Sequence, residues 1–387
     1  MSPAQNKTRS SYSVTPREPM SSSEPPSGVL PCDVILLILA RLPVKSLFRF
    51  KTVCRSWYRL TSEKHFIMLY SVTSLHKPIV LLEVMEPANP IPSFLSVDRF
   101  DAASCFSLNF LEDRVKVRAS CNGLLCCSSI PNRGVFYVCN PMTKEFRLLP
   151  RTRERPFSRF HPDYEETLVG LSFDTCSWKF NVAVAGFCRP FGRRPYEELV
   201  CMVFDSETNS WTRFVSSFYD EFTHMNRNQV VFSNNSLHWL THSCSYVLVL
   251  DLRSNVWRKI SLPEEIVAVG FCGRIYLLEL EGSVSLIQIL GVWLYIWALK
   301  DYDREHWVLI DRVHLRCILG FAASAFPVCL SSDVVFLATQ RKILTYGRKN
   351  KVWKEVFSVG DNVAYPLWFS AHPFRSTLFP CDQGVQF

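Results

Sequence analysis

A short phrase recurs through the second half of the chain and limits its fold more than any other feature. A polar turn opens on Asn, Asp or Gly, and six residues later an aromatic begins the next apolar run. The phrase stands at Asn140–Phe146, Asp205–Trp211, Asp251–Trp257, Asp301–Trp307 and Gly347–Trp353, with aromatics 65, 46, 50 and 46 residues apart. Apolar runs lead in at Val135–Cys139, Leu199–Phe204, Tyr246–Leu250, Leu294–Leu299 and Ile343–Tyr346. Asp and Asn side chains can bond to nearby backbone and so reverse the chain. The aromatic then packs on the incoming strand as a cross-strand partner. Further apolar runs with turn signals precede these hairpins, at Asn122–Leu125, Asn234–Trp239, Cys272–Tyr276 and Ser332–Leu337. Four short strands per period of 46–50 residues describe a β-propeller. An aromatic content of 13% suits such a β-rich fold. Runs within residues 79–110 and 362–379 would join the two ends of the domain in one closing blade, which predicts six blades in all. The longer first interval predicts a loop insertion over Arg151–Glu166.

Ahead of this repeat the periodicity is helical. Over Leu30–Ile67 three short patterns follow one another. The first carries Val34, Ile35, Leu37, Ile38 and Leu42 behind Pro31; the second carries Val44, Leu47, Phe48 and Phe50 behind Pro43. The third carries Val53, Cys54, Trp57 and Leu60. Proline suits a first helical turn, where its missing N–H would be unpaired anyway. None of the three could stand alone in water. Their combined apolar surface leaves two readings open: a helical subdomain packed on its own chain, or a module that keeps part of that surface for a partner.

The stretch resembles an F-box, on Leu30-Pro31 with Asp33, Ile38-Leu39, Arg41–Leu47, Arg49-Phe50 and Val53–Trp57. The RLPVKSL and VCRSW pieces are similar to those of plant F-box proteins. Cys32 and Leu37 stand where the family commonly carries acidic residues. The later region resembles the plant F-box-associated domain, a kelch-like propeller, on Ser120–Cys126, Val138–Lys144, Leu148–Pro150, Phe173-Asp174, Val203–Asp205 and Ser236–Leu240, over about residues 115–360. Asn140-Pro141 followed by Thr143 is its most telling piece.

The resemblance implies an α+β multidomain chain, with an N-terminal three-helix F-box followed by an all-β propeller. The expected segments are a Ser/Pro-rich tail over 1–28, the helical module over 29–70, linker and propeller-closing strands over 71–114, and the propeller over 115–387. The F-box would dock on a Skp-type adaptor, and through it on cullin and RING subunits, while the propeller holds an unknown target protein. The residues expected to contact the adaptor are Leu30, Pro31, Asp33, Val34, Ile38, Leu42, Pro43, Leu47, Val53, Cys54 and Trp57, with Trp57 either an anchor or a pin for the three helices. The implied compartment is nucleus, cytoplasm or both.

The remaining features are weighed residue by residue. With 43 basic and 35 acidic residues the net charge is +8, spread without a Lys/Arg run of the kind that marks a nucleic-acid arm. Fifteen scattered cysteines, without a secretory signal, read as reduced thiols buried as small hydrophobes. Cys121, Cys126, Cys127 and Cys139 cluster without zinc-type spacing, so no metal or other cofactor is expected. Val284–Leu299 is 16 residues long, too short to span a membrane, and reads as two strands with a turn near Gly291. His238 and His242 lack a third ligand, and the pairs Glu165-Glu166 and Glu264-Glu265 read as solvated loops. Arg151, Arg153, Arg155 and Arg159, with Arg189, Arg193 and Arg194, could form a basic rim for an acidic or phosphorylated target, or a plain solvated loop. Three functions follow: a non-catalytic substrate receptor, an adaptor-binding scaffold without ligase activity, and a propeller enzyme whose carboxylates converge from distant blades.

Overall fold

The computed structural model describes residues 30–74, 79–86, 89–97, 104–131, 134–152, 168–188, 198–215, 225–241, 245–268, 274–318, 320, 324–339, 341–358 and 368–381. Four helices come first: α1 (Cys32–Ala40), α2 (Val44–Lys51), α3 (Arg55–Ser62) and α4 (Lys64–Ser74). The predicted third pattern therefore breaks at Glu63 and a fourth helix follows, built on Phe66, Ile67 and Tyr70, all buried. Pro31 and Pro43 stand one position earlier than expected, as the caps before α1 and α2. Their carbonyls accept from the first helical N–H groups, Val34 and Ile35 in one case, Ser46 and Leu47 in the other.

The strands form six four-stranded antiparallel sheets. Sheet 1 holds β4 (Val115–Cys121), β5 (Leu124–Ser129), β6 (Phe136–Asn140) and β7 (Glu145–Leu148). Sheet 2 holds β8 (Leu168–Phe173), β9 (Phe180–Cys188), β10 (Glu198–Asp205) and β11 (Ser210–Val215). Sheet 3 holds β12 (Met225–Ser233), β13 (Ser236–Thr241), β14 (Tyr246–Asp251) and β15 (Trp257–Ser261), followed by the short helix α5 (Glu264–Ala268). Sheet 4 holds β16 (Arg274–Leu280), β17 (Ser283–Leu290), β18 (Trp293–Asp301) and β19 (His306–His314). Sheet 5 holds β20 (Phe326–Leu330), β21 (Val334–Ala338), β22 (Lys342–Gly347) and β23 (Val352–Ser358). The closing sheet joins β1 (Ile79–Glu86), β2 (Asn89–Val97) and β3 (Ser104–Phe106) to the last strand, β24 (Trp368–Phe374). The strands β4, β8, β12, β16, β20 and β24 neighbour one another in a closed ring, so the sheets are blades about one axis. The join between β1 and β24 ties the two ends of the propeller together.

The five turn phrases all fall between the third and fourth strand of a blade. Asn140 and Asp251 accept backbone N–H groups two residues on (Met142 and Arg253), as do Asp205 from Glu207 and Asp301 from Asp303. Each turn then passes through a left-handed residue two places before the aromatic: Lys144, Asn209, Asn255, Glu305 or Lys351. The aromatics face their expected partners, in the pairs Cys139 with Phe146, Phe204 with Trp211, Leu250 with Trp257, Leu299 with Trp307 and Tyr346 with Trp353. Two of them also staple blade to blade. The Trp211 indole donates to the Pro150 carbonyl at 2.6 Å, and that of Trp307 to the Ser261 carbonyl at 2.8 Å.

Middle strands are buried along their whole length, as in β5, β13 and β21, while the outer β11 alternates toward solvent. Val284–Leu299 is the hairpin of β17 and β18, with Gly291 at its tip at φ +58°. Two details differ from expectation. Glu264 and Glu265 open helix α5 instead of lying in a loop. Arg274–Tyr276 begins the inner strand β16, Cys272 and Gly273 lie outside the described residues, and the first hairpin of that blade turns at Glu281-Gly282, both at positive φ. Among the described residues no helix is long and apolar enough to cross a membrane. Burial pushes the Cys126, Cys201 and Cys329 thiols up to about 12, so they stay neutral and pack as hydrophobes.

Candidate interaction sites

Helices and propeller share one core. Leu39, Ala40, Val44, Leu47, Phe66, Ile67 and Tyr70 from the helices pack in one cluster with Leu124, Phe173, Leu378 and Phe379 from the propeller. The chain after β24 makes the joint. Asn140 is fully buried and donates through Nδ2 to the carbonyls of Thr377 (3.1 Å) and Phe379 (2.8 Å), while its Oδ1 caps its own turn. Thr377 in turn donates to the Asn122 carbonyl, and Phe379 packs on Phe173 at 4.9 Å. Gly123 lies under this strap at φ +85°, where a Cβ would strike the Thr377 hydroxyl and the Arg375 carbonyl. The Asn-Gly and Asn-Pro-x-Thr phrases of sheet 1 thus hold the C-terminal segment between the blades and the helices.

The helices sit over one end of the blades. Lys64 donates to the Cys176 carbonyl at 2.8 Å in the turn between β8 and β9 and lies over the Trp178 ring. Burial lowers the pKa of Lys51 against the opposing pull of Glu145, at the start of β7. Tyr70 and Thr73 of α4 donate to the carbonyls of Leu42 and Ala40, pinning the end of α1.

Apart from Asp33 in its first turn, helix α1 is apolar around its circumference. Ile35, Leu36, Leu39 and Ala40 face the shared core. Leu30, Val34, Leu37 and Ile38 lie on the other side, at helical spacing, and are 54%, 38%, 43% and 48% exposed. Val53, between α2 and α3, is 63% exposed, and Pro31, Pro43 and Cys54 are exposed as well. A helix that is apolar all round belongs in an interior, and this one has its own chain on one side only. Of the residues expected at an adaptor, Leu30, Pro31, Asp33, Val34, Ile38, Pro43, Val53 and Cys54 are at the surface. Leu47 is not: it is fully buried, because the α2 face that carries it closes the core. Leu42 is half-buried against that core, and Trp57 packs on Phe50 at 5.3 Å, as a pin for the helices. Leu37, which replaces an expected acidic residue, enlarges the exposed apolar face.

The far end of the blades is away from the four N-terminal helices, and the short helix α5 lies there. Arg151 is exposed there, just past β7. Arg153, Arg155, Arg159, Arg189, Arg193, Arg194 and His242, with Glu165 and Glu166, lie outside the described residues. The strand ends that flank both arginine runs, those of β7, β8, β9 and β10, are at this helix-distal end of sheets 1 and 2. His238 is fully buried, with Nδ1 3.1 Å from the Val231 carbonyl and Nε2 3.0 Å from the Tyr302 hydroxyl. Burial lowers it to about 4. On the helix side of the ring of inner strands Glu279 of β16 pairs with Arg375 at 3.2 Å. Among the described residues no three His, Cys, Asp or Glu side chains gather as a metal site.

Comparison with known proteins places this architecture. The model of the F-box associated beta propeller domain matches residues 76–316, and that of the F-box domain matches residues 29–68. The chain belongs to the plant-type F-box proteins with an F-box-associated β-propeller. It is similar to the F-box protein At5g49610 of Arabidopsis thaliana, at 52% identity over 92% of this chain and 98% of the relative. It is 26% identical to the F-box protein At3g07870 over 72% of this chain and 71% of that one, also from Arabidopsis thaliana. The F-box/kelch-repeat protein At3g61590 of the same plant is 23% identical over 84% and 83%.

Proposed function

We propose that this chain is the substrate-recognition subunit of a Skp–cullin–F-box ubiquitin ligase. The exposed face of Leu30, Val34, Leu37 and Ile38 carries the reading, since the chain's own core leaves it uncovered. A Skp-type adaptor would cover it and so connect the chain to cullin and RING subunits. The propeller would hold a target protein at its helix-distal end, where loops on a rigid scaffold suit binding. The chain itself does no chemistry. Its contribution is proximity, raising the local concentration of target lysines at the charged ubiquitin-conjugating enzyme. Such a subunit would work in the nucleus, the cytoplasm or both.

Reconstitution tests this. The full chain is mixed with adaptor, cullin, RING subunit, and activating and conjugating enzymes, and ubiquitin transfer to lysines of the chain itself is followed. Transfer that requires the adaptor and cullin supports the reading. Stable adaptor binding without transfer would assign a scaffold instead.

A further inference from the structure

We infer that blade 4 carries a preformed site for an acidic polypeptide segment, centred on Arg312 and Trp293; the inference rests on the receptor reading for its biological use. Trp293 and Tyr295 are two apart on β18 and so share one face of the sheet. Across the ladder they pair with His314 and Arg312 of the outer strand β19. The four side chains form a stack. The Arg312 guanidinium carbon is 3.7 Å from the Trp293 ring centroid and 5.3 Å from that of Tyr295. His314 meets Trp293 edge-on at 4.5 Å, and its Nδ1 accepts the Arg316 N–H at 3.0 Å.

Stacking fixes the guanidinium plane and leaves its N–H edge for an acceptor. Other arginines stacked on rings in the described structure spend that edge internally: Arg147 on the Asn209 side chain, Arg258 on the Tyr302 carbonyl. Arg312 gives its side-chain N–H groups to no acceptor among the described residues. Its neighbour Asp311 is already held by Arg348 at 3.0 Å and Lys351 at 3.3 Å. Arg312, His314 and Arg316 are all exposed.

The place suits a target. β18 begins and β19 ends at the helix-distal end of the blade, so a segment bound here would lie clear of the helices and of an adaptor on them. Val292 beside Trp293 is 37% exposed, and Val267 of α5 is 54% exposed. Tyr295, Ile266 and Leu262 share one core, which sets α5 close to the stack. A planar, pre-oriented cation with apolar surface around it fits a carboxylate or phosphate on a peptide that also carries an aromatic or aliphatic residue.

The test selects a random dodecapeptide phage library on the full chain and, in parallel, on Arg312→Glu. Enrichment of Asp or Glu next to an apolar residue on the native chain, and its loss on the variant, is the expected result. Selected peptides are then resynthesised with Glu, phosphoserine or Gln at the acidic position and titrated by fluorescence anisotropy. Binding should fall at least tenfold with Gln and with Arg312→Glu. It should fall severalfold with Trp293→Ala, which frees the guanidinium from its stack. The Glu and phosphoserine arms show which anion is preferred. No acidic enrichment, equal enrichment on Arg312→Glu, or binding of a single-stranded oligonucleotide in place of the peptides would overturn the inference. The double variant Val34→Asp/Ile38→Asp must bind the peptides normally, so a failure of adaptor docking is read separately from a failure of this site.

Discussion

Glu83 on β1 gives a prediction with a sign and a size. Its side chain is 1% exposed in the seam between the closing sheet and sheet 1. It forms no full hydrogen bond, although the Val117 backbone lies near enough to favour the charged form. Burial pushes its carboxyl from 4.5 up to about 7, against the pull of Lys116, the Val117 backbone and Arg118. An acid whose folded pKa is raised stabilises the fold below its unfolded value and loses that contribution as pH rises through the folded value. The window is therefore 4.5 to about 7. The full loss is about 3 kcal/mol, from a shift of roughly 2.5 units at 1.36 kcal/mol each. Two histidines oppose it. Burial lowers His238 and His372 from 6.5 to about 4, so both contribute stability above 6.5 that is lost as pH falls through 4. Two such groups outweigh one carboxylate, so the native chain's stability should still rise with pH up to 6.5, less steeply than the histidines alone would make it. Glu83→Gln keeps the shape and removes the titration. The difference in Tm between Glu83→Gln and the native chain, followed by scanning fluorimetry from pH 4.5 to 8, should climb by about 6 °C in favour of the variant, at roughly 2 °C per kcal/mol for a domain of this size. The slope of the difference is the test, since any constant cost of the amide cancels. A difference that is flat, or that falls with pH, would refute the argument.

Two further substitutions probe the joint and the blade contacts. Asn140→Ala should lower stability by about 2–3 kcal/mol, because it leaves the buried Thr377 and Phe379 carbonyls unpaired; limited proteolysis should then cut the C-terminal strap first, and an unchanged Tm would count against the role given to this residue. Trp307→Phe keeps an aromatic side chain but removes the N–H to Ser261 and part of a buried ring, so it should cost about 1–3 kcal/mol in denaturant unfolding with no change of fold by circular dichroism.

The propeller was legible because its turns are local chemistry. Asp205, Asp251 and Asp301 bond to backbone two residues on, and the tryptophans that follow need only the next strand. The closing sheet was readable as well, since the apolar runs at both ends had no other partner. What stayed hidden depends on long-range contact. Leu47 looks like its neighbours at helical spacing, and only the packing of α2 on the shared core separates a buried position from a docking one. Helix α4 carries Phe66, Ile67 and Tyr70 and could have been found from their spacing, yet its role as the joint depends on the Ala40 and Leu42 carbonyls that it caps. The stack on Arg312 pairs residues 17 and 19 positions apart, from Tyr295 and Trp293, which no local motif announces. Asn140 was visible as part of a motif, but its two bonds reach more than 200 residues along the chain.

The shared core also decides how the central claim is tested. Cutting the helices away would bare Phe173, Leu378 and Phe379 and disturb the propeller, so the comparison must keep the full chain. The most direct measurement is the affinity of purified Skp-type adaptor for the native chain and for Val34→Asp/Ile38→Asp, by calorimetry, with circular dichroism to show that both are folded. Val34 and Ile38 are exposed, so the charges are tolerated in the free chain; under an adaptor each would be a buried, unpaired carboxylate. The account predicts tight binding to the native chain and a loss of at least a hundredfold in the variant. Equal affinity for both, or no binding to either, would contradict it.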